Sequence, residues 1–100
     1  MAFRHIVLLT LADDAPPGRA EEIVDALRRL PAAVPELRDY VVGVDAGLSP
    51  GNATIAVVAD TDDQAGWERY RDHPEHQRVI AELIAPVLAA RTAVQHHVEA

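Results

Sequence analysis

The chain contains no cysteine and no lysine. Without cysteine there are no disulfides, no thiolate nucleophile and no thiolate-ligated zinc or iron–sulfur centre. Without lysine, all nine basic residues are arginines, set against sixteen acids for a formal net charge of −7. That balance argues against a nucleic-acid phosphate backbone as partner and against an anionic membrane surface. Long hydrophobic runs are also missing. The apolar stretch near the N-terminus, residues 6–12, is interrupted by Thr10 and followed by Asp13 and Asp14. It is too short to span a bilayer, and no signal-peptide cleavage pattern follows it. The expectation is a soluble, cytoplasmic protein with no nucleic-acid or membrane partner. What is present suits a packed core: 49% of the 100 residues are hydrophobic, enough for one domain over residues 1–100. A chain this short buries less than about 70% of its unfolded surface, so a second subunit would help it.

Residues 3–11 read as a strand, with Phe3, His5, Val7, Leu9 and Leu11 on one face. Ile6 and Leu8 make the other face apolar too, so both faces call for cover. Residues 19–30 read as an amphipathic helix ended by Pro31, with Ala20, Ile23, Val24, Leu27 and Leu30 as its stripe. Residues 37–45 and 53–60 read as two strands joined by the turn cluster 46–52. Thr61 and Gln64 match a capping box for a helix running to about Asp72. Pro74 suits the first turn of a further helix, striped by Val79, Ile80, Leu83, Ile84, Val87 and Leu88, with a kink or early end expected at Pro86. Residues 92–98 read as the last strand.

Strand, helix, strand, strand, helix pair, strand is the order of the ferredoxin-like split βαβ fold: α+β, with a four-stranded antiparallel sheet covered by helices on one face. The second apolar sheet face then asks for another copy of the sheet, so a homodimer through the sheet face is expected.

Three patterns bear on chemistry. Gly47-Leu48-Ser49-Pro50-Gly51 spells a nucleophile elbow, but the residue after the serine must donate its backbone N–H to the oxyanion, and Pro50 has none; it is a hairpin loop. His73-Pro74-Glu75-His76 offers two imidazoles but no evident third ligand, and no metal site is assigned. The third pattern is a cluster. His76 begins the apolar stripe of its helix and so points inward; Tyr70 shares a face with Trp67; His5 lies on the strand face with Phe3 and Val7. An imidazole exchanges a proton near neutrality, and a tyrosine hydroxyl can donate to a developing enolate. Together they would suit proton abstraction beside a carbonyl with no cofactor. The plainer reading makes them hydrogen-bonded core residues.

The runs Arg4-His5-Ile6-Val7-Leu8-Leu9, Pro35-Glu36-Leu37-Arg38-Asp39-Tyr40 and above all Trp67-Glu68-Arg69-Tyr70-Arg71-Asp72-His73-Pro74-Glu75-His76 resemble the Dabb family, the stress-responsive A/B-barrel domain. The resemblance covers nearly the whole chain. It implies a ferredoxin-like subunit pairing as a dimeric α+β barrel, with a pocket between sheet and helices. One characterised type in the family is olivetolic acid cyclase, a cofactor-free polyketide cyclase that closes a ring by an aldol-type step. The resemblance makes His76 its base, Tyr70 the partner of that base and His5 a pocket group. It puts Ile55 and Leu27 where that cyclase carries a further histidine and tyrosine, so its substrate does not carry over. Trp67, Leu27 and Ile55 join His5 as expected ligand-contacting residues, around a small apolar or polyketide-like ligand. The alternatives are a non-catalytic stress-responsive ligand-binding or structural dimer, and a cofactor-free monooxygenase of the wider barrel type.

Overall fold

The structure is a computed structural model and describes residues 2–99. Four strands, β1 (Ala2–Leu11), β2 (Asp39–Val44), β3 (Ile55–Thr61) and β4 (Leu88–Val98), form one antiparallel sheet in the order β2-β3-β1-β4. Strand periodicity sets its two faces. Phe3, His5, Val7 and Leu9 are buried and point to the helices; Arg4, Ile6 and Leu8 point the other way.

The helices α1 (Arg19–Arg28), α2 (Leu30–Ala33), α3 (Gln64–Asp72) and α4 (Pro74–Val79) connect the strands. In α1 the stripe Ile23, Val24 and Leu27 is buried, with Glu21 and Glu22 near the positive end of the helix dipole and Arg28 near the negative end. The Arg28 guanidinium donates twice to the Val42 carbonyl, at 3.1 and 2.7 Å, and ties α1 to the edge strand β2. The core joins this stripe to Val7, Leu9, Val42, Ile55 and Val57 of the sheet and to Tyr70, Val79, Ile84 and Val87 of the later helical segment.

Several local expectations change. Pro31 does not end a helix; it stands in the first turn of the short α2, where its missing N–H would have had no partner. Thr61 is not the cap of α3. It is wholly buried at the end of β3, and its hydroxyl donates to the Asp63 carbonyl at 2.8 Å. Asp63 is the cap, accepting from the Gly66 N–H at 2.8 Å. Before Pro86 the helix widens into a π-type turn, Ile80–Ile84, and then tightens into a 3₁₀ turn, Ala85–Val87, because proline cannot donate to the helical ladder. β2 starts at Asp39 instead of residue 37, and β4 starts at Leu88 instead of residue 92, paired with Leu11 beyond a bulge at Ala89 of β4.

The expected barrel does not form. The ferredoxin-like four-stranded antiparallel sheet is present, but it is open and does not close into a barrel. Closure would require the two outer strands to pair. β2 and β4 lie at opposite edges, separated by β3 and β1, and each has one strand neighbour.

Candidate functional site

The His73-Pro74-Glu75-His76 run makes sense first as a junction between two helices. The last carbonyls of a helix lack intrahelical donors, as do the first N–H groups of the next. At the end of α3 the Arg71 carbonyl lies 3.0 Å from His76 Nδ1 and also accepts from the Gln77 side-chain amide. At the start of α4 the His73 Nδ1 accepts from the Glu75 N–H at 3.1 Å, with Pro74 in the first turn. Both imidazoles therefore bond to backbone at this corner.

This bonding sets the chemical state of His76. A carbonyl oxygen only accepts, so Nδ1 carries the proton and Nε2 keeps its lone pair. Burial holds its pKa below the ordinary imidazole value, the bond to Arg71 opposes that, and His73 adds to it. His76 is neutral at neutral pH. Its ring lies against that of Tyr70, 4.2 Å between centroids.

The Tyr70 hydroxyl does not bond to His76. It shares a hydrogen bond of 3.0 Å with the Tyr40 hydroxyl, a partner contributed by β2. Burial raises both phenols, Tyr70 to about 12, so neither ionises at neutral pH.

His5, in the middle of β1, is paired across the sheet with Gln95 of β4. The Gln95 amide donates to His5 Nδ1 at 2.9 Å, leaving the ring proton on Nε2. Burial lowers the His5 pKa to about 4, with Arg91 and His76 adding to the effect.

His5, Leu27, Tyr70 and His76 line one cavity of about 110 Å³ between sheet and helices, with Ile80, Ile84, Leu88 and Arg91. Trp67 and Ile55 do not line it. The Trp67 indole is 5.6 Å from the His5 ring and 6.0 Å from Phe3, and the Arg71 guanidinium lies over it at 5.0 Å. Ile55 is sealed in the core, where Leu9 and Val44 flank it across the sheet. Sequence reasoning missed Arg91, Gln95 and Tyr40 as neighbours of the cavity residues. Strand register brings in the first two, since Leu9 faces Arg91 and His5 faces Gln95, and that register is set by the fold.

The remaining motifs are accounted for by local structure. Ser49 lies in the loop between β2 and β3, where Gly47 and Gly51 take positive φ angles of 76° and 84°. His97 stacks edge-on against Phe3 at 5.4 Å, and His96 lies on the opposite face, in register with Arg4. No helix among the described residues is long and apolar enough to cross a membrane.

Residues 3–98 match the Dabb family, described as the stress responsive A/B barrel domain. A dimeric ferredoxin-like protein of unknown function from Thermobifida fusca YX is 47% identical over 98% of this chain and 92% of that one, with a TM-score of 0.88. A dimeric protein of unknown function and ferredoxin-like fold from Bacteroides fragilis NCTC 9343 is 27% identical over 97% and 96%, with a TM-score of 0.83. Hydroxynitrile lyase from Passiflora edulis is 17% identical over 98% and 94%, with a TM-score of 0.81, a likeness of fold alone. No curated protein matches the chain.

Proposed function

Since this chain belongs to the Dabb family, we propose that it is a homodimer in which each subunit holds a small, mostly apolar ligand between sheet and helices, without acting on it chemically. One observation carries the choice of binding over catalysis. The two groups expected to act together bond elsewhere, His76 to the Arg71 carbonyl and Tyr70 to Tyr40, around a cavity of only about 110 Å³. Ligand sites for drug-sized molecules run from about 300 Å³ upward, so a linear polyketide has no room. A single ring or a short chain is nearer the right size.

The experiment is a titration of the protein with p-cresol, followed by the imidazole NMR resonances of His5 and His76. Binding in the cavity shifts both. Resonances that stay still up to millimolar concentration end this reading.

One observation favours a second reading, aldol-type catalysis. The bond from His76 Nδ1 to Arg71 leaves Nε2 as a neutral base on a side chain that lines the cavity. His76→Phe separates the two readings. A binding protein keeps its fold and its p-cresol affinity within a few-fold, since the swap is of similar size. An enzyme loses turnover of a β-dicarbonyl compound.

The sheet face away from the helices supports the dimer. Val41, Val58, Ile6 and Val94 form one apolar row across all four strands, with Leu8 and Ala56 beside it. Val41 is 61% and Val94 56% exposed in the single chain, an unusual state for a contiguous apolar row. A second copy of the same face is the occupant, in keeping with the dimeric state of the relative that is 47% identical.

A further inference from the structure

We propose that the ligand of the cavity is an anion, a small molecule whose carboxylate pairs with Arg91 at the mouth while its apolar part enters among Leu27, Ile80 and Leu88. This rests on the reading of the cavity as a binding site and adds the chemical class of its occupant.

The nine arginines are not equally engaged. Seven of the nine are engaged through their guanidinium groups: Arg4, Arg38, Arg69, Arg71 and Arg78 with carboxylates, Arg28 with the Val42 carbonyl, and Arg19 with both Glu22 and the Leu83 carbonyl. Arg29 and Arg91 have no such partner among the described residues. Arg29 borders a groove that also contains Glu75 and Glu82, so its charge has acids nearby. Arg91 borders the His5–His76 cavity, whose lining holds no aspartate or glutamate. It is the one charged group there, beside two imidazoles that are neutral at neutral pH.

A guanidinium without a counter-charge at the edge of an apolar cavity is suited to a carboxylate, which it can meet with two parallel hydrogen bonds. His5 supplies a second donor. With Nδ1 accepting from Gln95, its ring proton is on Nε2, which has no acceptor among the described residues and is not sealed from solvent. The overall charge of −7 disfavours anions at long range, so a preference for one must come from these local donors.

Register keeps Arg91 available. It faces Leu9 across the β1–β4 ladder and so lies on the helix side of the sheet, away from the proposed dimer face. Size limits the apolar part. A cavity of about 110 Å³ is close to the roughly 150 Å³ that holds a benzene ring, provided the carboxylate stays outside at the mouth.

The test compares benzoate with benzamide, which match in shape and differ in charge, titrated at neutral pH and read by the His5 and His76 imidazole resonances. Benzoate is expected to bind about tenfold more tightly than benzamide. Arg91→Gln should remove the preference and bring benzoate to the benzamide level. The substitution is at an exposed residue without an ion pair, so folding is not at issue. If benzamide shifts both imidazoles and benzoate binds no better, the anion inference fails and the cavity reading survives. A benzoate preference that persists in Arg91→Gln also overturns it. If neither compound moves the resonances, both readings fall.

Discussion

His5 ties the site to stability. Its pKa is about 4 in the folded chain against an ordinary value of 6.5, mainly because it is buried. Between those values the unfolded chain takes up a proton that the folded one refuses. The stabilisation is therefore complete above pH 6.5 and is lost as pH falls toward 4, amounting to about 3 kcal/mol for this residue. Urea unfolding of the native protein and of His5→Phe across that range checks it. The variant should show a flatter decline, and equal slopes would remove His5 as the cause. His76 also has a lowered pKa and contributes in the same direction, so the difference between the two proteins is the quantity to read. At this scale the placement of several side chains was legible. Helical spacing pointed His76 inward, strand alternation pointed His5 toward the helices, and the tyrosine and histidine of the Tyr70–His76 run do meet, ring against ring. Arg91, Gln95 and Tyr40 were not legible as neighbours of these residues. Each is brought there by a strand distant in sequence, and periodicity within one strand says nothing about which residue stands opposite in the next.

Helix ends account for both histidines of the His73–His76 run. His73 satisfies the start of α4 and His76 the end of α3, which lets the chain turn sharply at Pro74 without leaving these backbone groups bare. The cap of α3 was misplaced by two residues in sequence reasoning because Thr61 and Asp63 can both accept from a helix N–H. Burial of Thr61 at the end of β3 decided it for Asp63. Asp63→Ala should cost about 1 kcal/mol of stability, read as a lower urea midpoint with unchanged slope. Thr61→Ser keeps the hydroxyl that bonds Asp63 and should cost about as much through the cavity left by one buried methyl. A neutral Asp63→Ala would mean that the α3 N-terminus is held by packing alone.

Across the whole molecule the two sheet faces divide the work. The helix-covered face carries the core and the cavity, and the open face carries the apolar row Val41, Val58, Ile6 and Val94 with a charged row beside it. In that second row Arg4 grips Asp60 through two contacts of 2.8 Å, which holds the Asp60 carboxyl below its usual range, and His96 and Asp39 lie at either end. If the open face is the dimer contact, Val41→Asp combined with Val94→Asp should give a folded monomer by light scattering after size exclusion, since two carboxylates per subunit would be buried in an apolar row whose one neighbouring arginine, Arg4, is already paired with Asp60. A double variant that stays dimeric places the contact elsewhere.

Periodicity and composition by themselves determined the order of the main strands and helices, the ferredoxin-like sheet, the inward stripes of β1 and α1, and the absence of thiol chemistry in a chain without cysteine. These are local properties, written in spacings of two and of three to four residues. Tertiary structure alone decided that the sheet is open, that Tyr70 bonds Tyr40 instead of His76, that Ile55 is core, and that Arg91 stands beside the cavity without an acid. Each depends on the register of strands distant in the chain, which is settled when all four strands pack together.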